Sequence, residues 1–240
     1  MRVLILGGTS GIGLALARHY LQQGDTVAVC GRDLARLPAD LPPQLQAYAL
    51  DIADPQALAE MFARFAAPGL DLVVVAAGFY FNTRRHPLDA ATTLRMLRTN
   101  ASGLNHAFER AAEKMLAQRA GHLVAVALVA GLLHDYPGAS LYSATKRNVL
   151  SVCATYRLAL QPFGIAVTAI VPGYIDTEKL RALNGGDARH KPFLLSEAQA
   201  VARITQAIRK RQAVCVFPWQ MRWLVAVLNR LPRWVLALRG

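Results

Sequence analysis

Acidic side chains are scarce in this sequence, and cysteine is scarcer still. The 240 residues carry 15 Asp+Glu against 27 Lys+Arg, a formal charge of +12. Such a balance suits nucleic acid, anionic lipid or anionic small molecules. The basic residues are scattered, however, with no run of five or more and no nucleic-acid motif beside them, so nucleic acid is not expected as a partner. The three cysteines, Cys30, Cys153 and Cys215, each sit inside an apolar run. Odd in number and far apart, they speak against a disulfide framework and for small buried hydrophobes in a reducing compartment. The six histidines lack ligand spacing, and neither HExxH nor CxxC occurs, so no metal is expected. No uncharged apolar run approaches the ~20 residues of a spanning helix. The opening MRVLILGGTSGIG enters a strand at once and leaves no room for a signal peptide. The expected location is cytoplasmic.

What is present is apolar and ordered in its rhythm. With 54% hydrophobic residues the chain is globular in composition, and its length suits one α/β domain. Residues 2–6, 26–30, 45–50, 71–77, 122–129, 165–171 and 213–217 read as strands. Helical patterns lie between them near 12–23, 55–66, 88–118, 140–162 and 196–210. The strands are continuous apolar runs, not alternating ones, as expected of a parallel sheet covered on both faces. Strand–helix alternation therefore predicts a single-domain, Rossmann-type, doubly wound α/β fold over 1–217. Residues 177–196 break the rhythm as an excursion above the sheet, and 218–240 form an apolar tail rich in Arg and Trp, packed on the domain.

Directly after the first strand stands Gly7-Gly8-Thr9-Ser10-Gly11-Ile12-Gly13. Glycines at this place let the backbone approach a pyrophosphate seated on the helix N-terminus. Gly7, Thr9, Ser10, Gly11, Ile12 and Gly13 are thus candidate dinucleotide contacts. The second strand ends in Gly31-Arg32 with no acid, whereas NAD specificity calls for a carboxylate there and a 2′-phosphate calls for arginine. Asp33 reads as a helix N-cap facing away. NADP(H) is expected over NAD(H), with Arg32 on the phosphate.

In LYSATKR, Tyr142 and Lys146 are four apart on a helical pattern and so share a face. Tyrosine titrates near ~10 in water, and a neighbouring ammonium together with a nicotinamide cation would favour the phenolate and lower that value. Together with GGTSGIG, these residues make the chain similar to the short-chain dehydrogenase/reductase family over residues 1 to about 180. Asp51 matches that family's acidic position beside the adenine, and Asn100 the asparagine supporting a water relay to the lysine. Ala77-Gly78 follows the fourth strand at a cofactor-lining position. Pro172-Gly173-Tyr174-Ile175-Asp176-Thr177 resembles the PGxxxT stretch that holds the nicotinamide carboxamide, which makes Pro172, Gly173, Ile175 and Thr177 candidate contacts. The resemblance implies that Tyr142 exchanges the substrate proton, and that Lys146 grips the nicotinamide ribose and tunes Tyr142. It also implies a homodimer or homotetramer.

Two positions depart from the family pattern. The fourth strand ends Val75-Ala76-Ala77-Gly78, without the usual asparagine, which mainly braces the central strands. The fifth ends VAVALVAG (124–131), with Ala127-Leu128 where the family places the serine that polarises the substrate oxygen. This stretch reads as a buried strand that has also lost a catalytic group. Losing one preorganised donor typically costs ~10²–10³ in rate. His134 and Tyr136, on the loop before the Tyr142 helix, are candidate replacements at the substrate rim; Ser140 reads as a helix cap.

The expected activity is NADP(H)-dependent hydride transfer to or from an apolar carbonyl/alcohol substrate. The alternative is a weakly active or inactive NADP(H)-binding sensor or partner protein of the same fold. The tail, with Trp219, Trp223, Trp234, Arg222, Arg230, Arg233 and Arg239, suits core or dimer packing, a pocket lid, or weak contact with a membrane surface. Pro232 interrupts any single long helix there.

Overall fold

A computed structural model describes residues 1–81, 88–133 and 140–230, with the backbone alone at Ser140. Its strands are β1 (Arg2–Leu6), β2 (Thr26–Gly31), β3 (Gln46–Ala49), β4 (Leu72–Val75), β5 (Gly121–Val126), β6 (Ile165–Pro172) and β7 (Val214–Phe217). They form one sheet in the order β3-β2-β1-β4-β5-β6-β7, with every neighbouring pair parallel. The expected doubly wound sheet is the observed one.

The apolar runs explain the layers. Val3, Ile5, Val27, Val29, Leu72 and Val74 face one side, against Leu16, Ala17 and Tyr20 of α1 (Gly11–Gln22) and Ala200 and Ile204 of α7 (Glu197–Arg209). The alternate residues Leu4, Leu6, Val73 and Val75 face the other. There they meet α2 (Pro55–Phe65), α4 (Gly103–Gln118) and α5 (Ser140–Leu160) through Leu58, Phe108, Val149 and Cys153. Both faces are buried, which is why the strands do not alternate. The chain leaves β1 towards β2 and β3, then returns to β4 on the other side of β1. That reversal opens a crevice at the carboxyl ends of β1 and β4, where ligands bind in sheets of this kind.

Two elements differ from expectation. The helical stretch 88–118 is broken into α3 (Ala90–Leu97), a π turn (Arg98–Ser102) and α4. The strand predicted over 122–129 ends at Val126, and Val129–Leu132 winds into a 3₁₀ turn. VAVALVAG is therefore a strand only in its first three residues, although Ala127 and Val129 remain buried. Within the excursion, α6 (Glu178–Leu183) forms, and a bridge between Ile175 and Leu195 brings its two ends together. The tail begins as α8 (Trp219–Leu228), which packs on the domain through buried Met221 and Val225. Residues 231–240, including Pro232, Arg233, Trp234 and Arg239, lie outside the described residues.

Candidate active site

The glycine-rich turn sits where β1 meets α1. Its backbone nitrogens at Gly7 and Gly8 donate to the Cys30 carbonyl, 2.8 and 3.1 Å away, and so tie the turn to β2. Gly7 has φ +86°, and a Cβ there would lie 2.4 Å from the Ala77 nitrogen. A Cβ at Gly13 would lie 2.2 Å from the Gly7 carbonyl oxygen. The turn thus closes on the start of α1 only with glycine at both positions. Ser10 is the N-cap of α1 but makes no side-chain cap bond, and no acid occupies the first turn. Amide donors and a positive dipole end are left for an anion. Thr9 is buried, and Ile12 packs in the core below. These residues fit a dinucleotide's pyrophosphate.

Arg32 directly follows β2 and is exposed. The Asp33 carboxylate accepts from the Ala35 nitrogen at 3.0 Å, capping a 3₁₀ turn as expected. Across the crevice, Lys179 of α6 donates to the Gly78 carbonyl at 3.4 Å. Desolvation, then the charges of Arg36 and Arg32, lower the Lys179 pKa. Sequence reasoning missed Arg36, four positions beyond Arg32, and Lys179, which only the fold brings near them. Asp51 accepts from the Ala53 nitrogen at 3.0 Å in the turn after β3. Thr177 caps α6 by accepting from the Leu180 nitrogen at 3.1 Å. Its methyl group would stand 3.6 Å from a Cβ at Gly11, so the PGxxxT stretch and the glycine turn meet. Ile175 and Pro172 are buried. Gly173 donates to the Phe217 carbonyl at 2.7 Å, and a Cβ on it would approach Met221 of α8 to 2.9 Å. The tail accounts for that glycine.

Tyr142 and Lys146 occupy the first turns of α5, one turn apart, with the Lys146 ammonium 5.9 Å from the Tyr142 ring centre. Lys146 is 6% exposed and donates to the Val126 carbonyl, where β5 ends, at 3.1 Å. Burial, and then the charge of Lys179, lowers its pKa to about 8. A Cβ at Gly78 would lie 3.3 Å from that ammonium and 3.7 Å from the Asn100 carbonyl oxygen. The lysine and Asn100 thus close tightly over this strand end, and a side chain at position 78 would press the ammonium.

Asn100 lies in the π turn and is 3% exposed. Its amide donates to the Phe79 carbonyl (2.9 Å) and to the Thr145 hydroxyl (3.1 Å), while its oxygen accepts from the Phe79 nitrogen (2.7 Å). Thr145 passes its own proton to the Tyr142 carbonyl at 2.7 Å. Asn100 thus ties the segment after β4 to the first turn of α5, and a π turn is a common device for aiming such a side chain. It makes no direct bond to Lys146.

Pinning Phe79 fixes its neighbour. Tyr80 packs edge-on against Tyr142, ring centres 4.9 Å apart at 87°. Nothing in the sequence marked Tyr80, which lies 62 positions from its partner. Burial first, and Tyr80 second, push the Tyr142 phenol above its ordinary value. Ala127 and Leu128 offer no hydroxyl, and the Ala127 nitrogen is engaged with the Ile170 carbonyl at 2.8 Å. His134 and Tyr136 lie outside the described residues, as does the side chain of Ser140.

Comparison with known proteins bears on this geometry. The short chain dehydrogenase family profile matches residues 1–188. The chain belongs to the short-chain dehydrogenase family. An uncharacterized oxidoreductase of Myxococcus xanthus is 31% identical over 238 residues, covering 95% of this chain and 92% of that one. The NADP-dependent 3-hydroxy acid dehydrogenase YdfG of Escherichia coli K12 is 30% identical over 181 residues, 73% of each chain. Among solved structures, the closed form of a serine dehydrogenase complexed with NADP+ superposes with a TM-score of 0.81 at 25% identity, covering 92% of this chain and 96% of that one.

Proposed function

We propose that this family member is an NADP(H)-dependent oxidoreductase acting on an apolar carbonyl/alcohol pair. The observation that carries the reading is the meeting of Lys146 and the Asn100 brace at Gly78, with the Tyr142 ring 5.9 Å from the Lys146 ammonium, at the crevice entered by the glycine turn. NADP(H) is favoured by Arg32, Arg36 and Lys179 near the end of β2, with no carboxylate at the strand end. The names of the Escherichia coli relative and of the serine dehydrogenase complex agree with it.

Bound there, the cofactor would supply or accept the hydride. Tyr142, held protonated by its surroundings, donates a proton to the carbonyl oxygen in the direction of reduction. Lys146 binds ribose and supplies the positive charge that steadies the phenolate once the proton has left. Asn100 is a positioning residue, holding Phe79 and the α5 turn in register. The polar contact that Ala127 and Leu128 cannot make falls to the Tyr80 hydroxyl, which shares the wall of Tyr142. The excursion over 177–196, pinned at its base by the Ile175–Leu195 bridge, covers the substrate.

The aliphatic 127–128 pair favours a second reading, an NADP(H)-binding sensor or partner without turnover. NADPH binding and oxidation against apolar aldehydes, ketones and quinones separates the two. Turnover in the wild type, reduced ~10²–10⁴-fold in Tyr142→Phe with NADPH affinity retained, is the expected result. Tight NADPH binding without turnover supports the sensor, and absence of NADPH binding overturns both.

A further inference from the structure

No acidic residue occurs after Glu197, whereas eight of the 27 basic residues do. Two thirds of the net charge therefore belongs to the last 43 residues. Within this stretch helix α8 carries Arg222, with Arg230 just past its end. Met221 and Val225 point into the core, while Trp219 is 66% exposed, Trp223 64% and Val227 52%. Residues spaced by four lie along one side of a helix, so these three form an outward apolar stripe. Arg222 beside it is exposed, and so is Arg230 just past the helix end. Indole rings flanked by arginines are the composition that settles at the boundary between headgroups and acyl chains.

We infer that the outer face of α8 docks on the surface of an anionic phospholipid bilayer. Among the described residues no helix is long and apolar enough to cross a membrane, so the contact lies in the plane of the interface. Charge complementarity decides for lipid over a second copy of the chain. A two-fold contact of this face with itself would add the charges of Arg222 and Arg230 to those of the partner copy's arginines, with no carboxylate on α8 to offset them. A bilayer with anionic headgroups meets the same arginines with the opposite charge. Position supports the assignment as well. The Asn229 amide donates to the Leu132 carbonyl at 2.8 Å, and Met221 sits against Gly173. The helix thus packs on the segment after β5 and on the PGxxxT stretch, both bordering the crevice. The inference stands without the proposed activity.

The test is co-sedimentation of the full chain with phosphatidylcholine vesicles, with and without phosphatidylglycerol. The expected result is binding to the anionic vesicles alone, with a blue shift in tryptophan emission and release at high salt as the charges are screened. Trp219→Ser/Trp223→Ser lowers the partition by about tenfold or more. Arg222→Gln/Arg230→Gln lowers it roughly fivefold per arginine. All four substituted side chains are exposed, and circular dichroism with the thermal midpoint checks that the fold is kept. Failure to bind anionic vesicles, or equal binding by the variants, overturns the inference. So does a wild-type oligomer that the tryptophan variant splits without any vesicle binding, which would make this face a self-interface.

Discussion

Near the amino end of the sheet, buried His122 of β5 places Nε2 2.8 Å from the Thr168 hydroxyl of β6, and Thr168 gives its own proton to the Gln212 carbonyl. Because that hydroxyl proton is already committed, the ring must donate from Nε2. At the carboxyl end, buried Lys146 has three donors and one bond, to Val126, among the described residues. The first network is closed, and the second keeps capacity for a ligand. Burial disfavours charge in both, moving His122 to about 4 and Lys146 to about 8. At neutral pH the histidine is uncharged whether folded or not, so its burial carries no ionisation penalty. The lysine is charged there, and the fold carries the full cost of keeping it. The end of the sheet that sacrifices stability is the end where the proposed cofactor site lies.

The strongest way to break this contrast is Lys146→Met. Turnover is expected to fall by ~10²–10⁴ as the phenol loses its neighbouring cation. Stability should move the other way. The folded pKa lies below the unfolded value of 10.5, so the unfolded chain binds the extra proton between about 8 and 10.5. Wild-type stability therefore rises with pH across that window, and the penalty is whole below it. The variant should be roughly 2–3 kcal/mol more stable at pH 7, with that slope gone, by urea midpoints at several pH values. A destabilised variant would mean that Lys146 serves the fold.

Next in size is Tyr80→Phe, which keeps the edge-on ring contact with Tyr142 and removes the hydroxyl. Loss of one preorganised donor predicts a kcat lower by ~10²–10³ with NADPH affinity unchanged. Restoring a hydroxyl by Leu128→Ser in that background should recover part of the rate. An unaffected Tyr80→Phe enzyme would return attention to His134 and Tyr136.

Tyr80 also marks where the sequence stops being legible. Tyr142 and Lys146 could be paired from spacing alone, because one turn of helix fixes their common face. The strands were legible because both faces of the sheet are covered. The end of β5 was not, since residues 127–131 are as aliphatic as the strand before them and only backbone pairing separates the two. Nor could the π turn be seen in 88–118, whose helical pattern runs on while Asn100 is held by a residue 21 positions away. The direction of the Tyr142 shift depends on burial and on Tyr80, and neither is local in sequence.

At the closed end, the expected signature is acid sensitivity. His122 binds a proton in the unfolded chain between pH 6.5 and 4 but not in the fold. Stability should therefore fall as pH drops through that window, by up to about 3 kcal/mol. His122→Ala should lower stability at pH 7 by ~2–4 kcal/mol through the cavity and the unpaired Thr168, and remove the slope between 6.5 and 4. A slope that survives the substitution would place the acid-sensitive group elsewhere.

The smallest expected effect concerns choice of cofactor. Arg32 is exposed, so its charge acts through solvent and its contribution is limited. Arg36 and Lys179 share the same region and compensate in part. On the proposed reading, in which Arg32 faces the 2′-phosphate, Arg32→Gln should weaken NADPH about tenfold while leaving NADH nearly unchanged. Fluorescence titration with both nucleotides reads the difference. Equal weakening of the two would move Arg32 from the 2′-phosphate to the shared pyrophosphate, and the preference for NADP(H) would then rest on Arg36 and Lys179.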